Sequence, residues 1–190
     1  MSDPPTVYLV RHGETEWSRS GRHTGLTDLP LTREGEAQAR ALRLRLSAIA
    51  FDNVITSPLR RAARTAELAG FTATPDADLV EWDYGDYEGM TSAAIRAVRP
   101  GWDLFDDGCP GGESVRQMTE RADRLVSRLT ALRGNVLVFA HGHLLRVLAA
   151  RWVGQPASFA RALLLSTGSV SALGFGHGNA GEPAVSLWNS

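Results

Sequence analysis

The run Val136-Leu137-Val138-Phe139-Ala140 is apolar at every position and is followed by His141-Gly142-His143. A strand with one wet face alternates apolar and polar residues. An unbroken apolar run fits a strand covered on both faces, as in sheets flanked by helices on each side. Similar strand-like runs occur at Val7–Val10, Asn53–Thr56 and Ser169–Phe175, with a weaker one at Pro183–Trp188. Helical patterns fall between them. Thr32 is placed to cap a helix running to about Ala48, with Ala37, Ala41, Leu44 and Ala48 on one face. Ser57-Pro58 reads as a helix start, with serine at the cap and proline in the first turn. Val115, Met118, Ala122, Leu125, Leu129 and Leu132 form another stripe, and Gly142 to Val153 reads as a buried helix. Strands alternating with helices predict an α/β fold, a three-layer α/β/α sandwich around a mainly parallel sheet. Residues 73–112, rich in Asp, Gly, Trp and Tyr, form the irregular part and are placed to line a cleft.

The 190 residues suit one domain spanning 1–190, with residues 1–5 expected as a disordered lead-in. No apolar run is long enough for a bilayer span, and no signal-peptide pattern opens the chain, so a cytoplasmic protein without a membrane partner is expected. A net charge of −1 argues against a nucleic-acid partner bound through a broad basic face. The chain leaves a homodimer open. Cys109 is the single cysteine, which excludes an intrachain disulfide and disfavours a cysteine metal site. All 20 basic residues are arginine, which excludes a Schiff-base lysine and a Walker-type phosphate lysine.

The chemistry-bearing residues collect just after strands. Arg11-His12-Gly13-Glu14 follows the first run, and open α/β sheets hold ligands at the carboxyl ends of their strands. Arg11 can draw in an anion that a neutral His12 can attack. Ser57-Pro58-Leu59-Arg60-Arg61 follows the second run; its helix start offers free N–H groups, and Arg61 a planar fork for phosphate oxygens. His141 follows the central run and is placed to be held charged and donate to an anion. His141 and His143 make a poor metal pair, because no cysteine or clear carboxylate completes a set and alternation sends their rings to opposite faces. No metal and no cofactor is expected. Glu81-Trp82-Asp83-Tyr84-Gly85-Asp86-Tyr87-Glu88-Gly89 sets carboxylates among aromatics, a suitable source of a general acid. In a parallel sheet the three strand ends share one edge.

These segments together resemble the histidine phosphatase superfamily, the phosphoglycerate mutase-like fold. RHGETEWSRSGRHTGLTDLPLT is similar to its N-terminal signature, SPLRRAARTA to its second arginine motif, EWDYGDYEGM to its acid loop and FAHGH to its second histidine motif. The pieces around Trp17, Glu81 and Cys109 resemble the small acid phosphatases and the sedoheptulose-bisphosphatase-like members. The resemblance implies that His12 is the nucleophile that becomes phosphohistidine. It makes Arg11 and Arg61 phosphate clamps, His141 the second pocket histidine and Glu81 the proton donor. Ser18, Arg22, Thr24, Gly25, Ser57, Tyr84, Gly142 and Arg146 are implied as substrate-binding positions, with Trp102 and His177 at the rim. Ser18 stands where many members carry asparagine, so its reach to phosphate is shorter. Two guanidinium groups and an imidazolium would neutralise a transferring phosphoryl group without metal: at ~4 Å and an effective dielectric near 20, each contact is worth roughly 4 kcal/mol before desolvation. The implied activity is hydrolysis of a small phosphorylated metabolite, with a sugar phosphate as the expected class. The alternatives are a phosphoglycerate mutase, which needs insertions this length leaves little room for, and a catalytically silent phospho-ligand binding module, which should have lost one of these five residues.

Overall fold

The computed structural model describes residues 4–178 and 181–190. In chain order the elements are β1 (Thr6–Arg11), α1 (Glu16–Arg19), α2 (Arg33–Leu46), β2 (Asn53–Thr56), α3 (Arg60–Leu68), β3 (Thr74–Pro75), α4 (Ser92–Val98), α5 (Leu104–Asp107), α6 (Val115–Thr130), β4 (Asn135–Ala140), α7 (Gly142–Trp152), β5 (Val170–Phe175) and β6 (Pro183–Leu187). One six-stranded sheet runs in the order β3-β2-β4-β1-β5-β6. The β3–β2, β2–β4 and β4–β1 pairs are parallel, while β5 and β6 add antiparallel strands. The expected mainly parallel sandwich is present.

Alternate residues of the central strands enter two cores. Val7, Leu9, Val136 and Val138 pack with Leu125 and Leu129 of α6 and Leu144 and Leu148 of α7. Val10, Leu137 and Phe139 face Leu42 and Leu46 of α2 and Ala66 of α3. Both faces of β4 are therefore dry, as its unbroken apolar run requires. The helices that follow β1 and β4 leave to opposite faces, which opens a crevice between the carboxyl ends of these adjacent strands. Register sets that crevice: Arg11 lies opposite Ala140, and Thr56 opposite Phe139. Beyond the ladders, His12 N–H donates to Ala140 O and Ser57 N–H to Phe139 O.

Several local expectations are corrected. The buried face of α2 is Gly35, Ala39, Leu42 and Leu46; Ala37, Ala41, Leu44 and Ala48 are exposed, and the helix ends before Ala48. Both sets keep helical spacing. The true one is chosen by Gly35, whose backbone lies so close to the end of β1 that an added Cβ would meet Glu14 O at 2.1 Å. Reciprocally, a Cβ on Gly13 would meet Gly35 O at 2.2 Å. α3 begins at Arg60 with Leu59 as its cap residue, not at Ser57-Pro58. Residues 73–112 contain β3, α4, α5 and two single 3-10 turns. In the expected lead-in, residues 1–3 lie outside those described, and Pro5 is buried. β5 starts one residue after Ser169, and β6 stops before Trp188.

Candidate active site

A cavity of about 80 Å3 opens at the β1–β4 crevice, lined by Arg11, His12, Ser18, Arg22, His23, Thr24, Glu81, Tyr84, Gly142, His143, Arg146 and Leu165. A water's share of liquid volume is roughly 30 Å3, so the space suits one compact polar group. Beneath it lies a fully enclosed layer of Ser57, Arg61 and His141. The three strand ends thus meet, at two depths.

His12 is buried, and its Nδ1 lies 2.7 Å from Gly13 O. A carbonyl can only accept, so Nδ1 carries the proton and Nε2 keeps a lone pair. Burial lowers the His12 pKa well below the ordinary imidazole value, and the charges of Arg61 and Arg11 push it the same way. The ring is neutral and basic at Nε2, the form a nucleophile needs.

Arg11 gives one terminal N–H to Leu165 O. Its Nε is buried without any hydrogen-bond partner, the one such side-chain nitrogen or oxygen among the described residues. Gly142 makes room for it: a Cβ there would lie 3.3 Å from Arg11 Nε. A buried unpaired guanidinium N–H is costly, and in a pocket it marks where an anion belongs.

Arg61 does not line the cavity. It donates to the carbonyls of Thr24, Gly25 and Thr27 and to His141 Nδ1. It clamps the loop after α1 and leaves a positive charge within Coulombic reach of His12. His141 is not held charged, contrary to expectation. Its Nδ1 accepts from Arg61 Nε at 3.1 Å, so the proton sits on Nε2, 2.8 Å from Ser57 Oγ. Burial, Arg61 and His12 all lower its pKa well below the usual range. The α3 N-terminus is not a phosphate cradle either: Asp28 Oδ1 accepts from Arg60 N–H and Ser57 Oγ from Leu59 N–H.

Glu81 reaches the N-terminus of α7. Its Oε1 accepts from the N–H groups of Trp82 and Leu144, and its Oε2 from that of His143, each at 2.9 Å. Oε2 takes fewer donors, so it is the oxygen with room for a proton. Arg121, reaching from α6, bonds Glu113 through Nε and Nη2 and the carbonyls of Asp78 and Val80 through Nη1, which fixes the loop carrying Glu81.

Other expected positions divide. Arg22, Thr24, Tyr84, Gly142 and Arg146 line the cavity. Ser18 does too, but its hydroxyl is committed to capping α1 with Thr15. Gly25 is spent on Glu88 and Arg61. Trp102 lines a neighbouring chamber. His177 is exposed beside Glu182 and belongs to neither space; it sits past β5 on an irregular turn with φ 52°. The residues that sequence reasoning left out are His23, His143 and Leu165. His23 and His143 both stand inside the motif stretches, in RHTG and AHGH, but nothing local shows that their rings converge. Leu165 enters through its carbonyl, for which a side-chain pattern carries no signal. Among the described residues no group of three or more His, Cys, Asp or Glu side chains could hold a metal ion.

The model of the histidine phosphatase superfamily (branch 1) matches residues 7–190. The chain belongs to this superfamily. It is 43% identical over 177 residues to an acid phosphatase of Mycobacterium tuberculosis, covering 90% of this chain and 87% of that one. It is 38% identical to sedoheptulose 1,7-bisphosphatase of Saccharomyces cerevisiae, covering 79% of this chain and 68% of the yeast protein. A solved structure of an open reading frame of Mycobacterium tuberculosis superposes with a TM-score of 0.91 at 40% identity, covering 97% and 96% of the two chains. The chain is a phosphatase of this superfamily, of the phosphoglycerate mutase-like fold. No described helix is long and apolar enough to cross a membrane.

Proposed function

We propose that the enzyme hydrolyses a small phosphorylated metabolite, a sugar phosphate in class, through a phosphohistidine on His12 Nε2. The observation that carries this reading is the pairing of an unpartnered, buried Arg11 Nε with a His12 whose Nδ1–H donates to Gly13 O. Arg11 binds a non-bridging phosphoryl oxygen. Nε2 attacks phosphorus, the bond to the ester oxygen breaks, and Glu81 gives its proton to that oxygen. Water then enters, Glu81 takes back a proton, the water oxygen attacks phosphorus and the P–N bond breaks. His12 returns to its neutral form and phosphate leaves. Arg61 and His141 act from below, Arg61 supplying fixed charge and His141 keeping the Ser57–Arg61 layer in place. No step uses a metal. The sugar bisphosphate named for the yeast relative supports the choice of substrate class.

The test is rapid quenching with a radiolabelled sugar phosphate under alkaline conditions that preserve phosphohistidine, followed by peptide mapping, in protein treated with chelator. Label on His12 is expected. Turnover without label on that peptide, or loss of activity that a metal restores, overturns the mechanism. Phosphoryl return to a second sugar-phosphate molecule in the same assay would make it a mutase instead.

A further inference from the structure

Next to the phosphate cavity lies a larger chamber of about 220 Å3 that shares His23, His143 and Arg146 with it. We propose that this chamber holds the leaving alcohol, that the alcohol is a polyol, and that His143 selects it by donating from Nε2 to one of its hydroxyl groups. The proposal rests on the phosphatase reading of the adjoining cavity, because it needs the phosphoryl group seated at Arg11 and His12.

The tautomer of His143 follows from its partner. Tyr84 is buried, and its hydroxyl meets His143 Nδ1. Burial raises the Tyr84 pKa well above that of an ordinary phenol, with Glu81 adding to the effect, so the O–H keeps its proton, and His143 Nδ1 is the acceptor that this buried hydroxyl reaches among the described residues. Nδ1 accepts it. The proton of the neutral ring then resides on Nε2, and burial with Arg146 nearby keeps a second proton off. His143 Nε2 has no hydrogen-bond partner among the described residues and is not an enclosed orphan, and His143 lines both spaces. Its backbone N–H holds Glu81 Oε2, so donor and acid are fixed by one residue.

The rest of the wall offers donors, acceptors and apolar faces that suit a hydroxyl-bearing group. His23 is also held neutral, its pKa lowered to about 4 mainly by burial, and its Nε2 meets Ser92 Oγ at 3.1 Å. Asp103 sets a carboxylate in the wall, shared with Arg161 and the N–H of Phe105 and with lone pairs left to accept from hydroxyls. Trp102 and Phe105 offer apolar faces. Three arginines also line the chamber, each with part of its donors engaged and its charge retained. Arg161 pairs with Asp103 and Asp106, Arg146 donates to the carbonyls of Ala160 and Arg161, and Arg96 Nε donates to Trp102 O.

The test compares kcat/KM for a polyol ester, glycerol or ribose phosphate, with that for phenyl phosphate, which has no hydroxyl. His143→Phe keeps a planar ring and loses the donor. Its polyol-to-phenyl ratio should fall by about tenfold or more, chiefly through KM, because the substrate hydroxyl then enters a site built to bond it and finds no donor. His143→Gln, whose amide N–H reaches toward the Nε2 position, should recover most of that ratio. Tyr84→Phe, which frees the tautomer, should lower it by less. A ratio changed less than threefold in His143→Phe, or no recovery in His143→Gln, overturns the proposal. Phosphohistidine trapping with phenyl phosphate in the same variants separates this outcome from failure of the phosphatase mechanism: label on His12 with an unchanged ratio sinks the polyol selection alone, and absence of label in the wild type sinks the mechanism beneath it.

Discussion

The β1–β4 half of the pocket and the half carried by residues 76–112 are ordered by different bonds. Arg11, His12 and Gly142 hang from strand ends whose ladder places Arg11 opposite Ala140. Glu81, Tyr84 and Trp102 sit on a segment with little sheet structure, held by side chains instead: Arg121 to Glu113, Trp82 Nε1 to Glu113 O, Tyr84 to His143 and Trp102 Nε1 to Gly108 O. The main-chain ladder cannot be altered by one substitution, whereas each side-chain tie can. The difference teaches where such an enzyme can change: the attacking histidine and the arginine beside it are set by the sheet, and the acid Glu81 and its neighbours by replaceable contacts.

The comparison is tested most severely at His12. His12→Ala should cut phosphate release by roughly 10³-fold or more for every ester, with the circular dichroism spectrum unchanged, since it removes the attacking atom and no tie of the fold. A residual rate above a tenth of wild type would move the nucleophile elsewhere. Arg11→Gln should come next, at about 10²–10³-fold in kcat/KM across substrates, the size of losing a preorganised donor to the transferring group. If it affects one leaving group only, the strand half is not the general chemical half. Glu81→Gln should cost about 10²-fold on a sugar phosphate but less than tenfold on p-nitrophenyl phosphate, whose leaving group departs without a proton. Asp83→Asn, Asp86→Asn and Glu88→Gln should lack that leaving-group dependence; finding it in one of them reassigns the acid.

Smaller effects separate the halves by stability. Glu113→Gln leaves buried Arg121 with a neutral partner and should lower unfolding free energy by about 1–3 kcal/mol in urea melts, without changing which residue is phosphorylated. Smallest per site is the response to acid. His12, His23, His141 and His143 are all held neutral mainly by burial. Their folded pKa values lie below the unfolded value near 6.5, so below that pH the unfolded chain binds more protons and stability falls as pH drops. For His23 the loss runs down to about 4. The melting temperature should decline from about pH 7 toward pH 5, and less steeply in His23→Gln; equal slopes in the two proteins would remove burial of that ring as a cause.

The strand half was also the legible half. Apolar runs that end in Arg11-His12 and in His141, on strands that must be parallel, bring those residues together before any coordinates exist. Pattern failed where a contact decides between equivalent faces. Ala37, Ala41, Leu44 and Ala48 have the same spacing as the buried Gly35, Ala39, Leu42 and Leu46, and the choice is made by the Gly13–Gly35 approach. It was silent on the three carbonyls that Arg61 binds, which lie far from it in sequence. The tautomers of His12, His141 and His143 depend on Gly13 O, Arg61 and Tyr84, partners that lie beyond any local window except the first.

The Gly13–Gly35 approach has a mechanical result. Two backbones in direct contact, with no side chain between them, leave nothing to re-rotamer and little to compress. The turn that carries His12 is therefore an anvil: it does not yield when the substrate presses on it. Any movement that closes the pocket around an ester has to come from the opposite wall, while the histidine stays still. Hydrogen exchange on adding phosphate or vanadate should accordingly slow in residues 76–112 and leave the amides of 12–14 and 35–36 where they were.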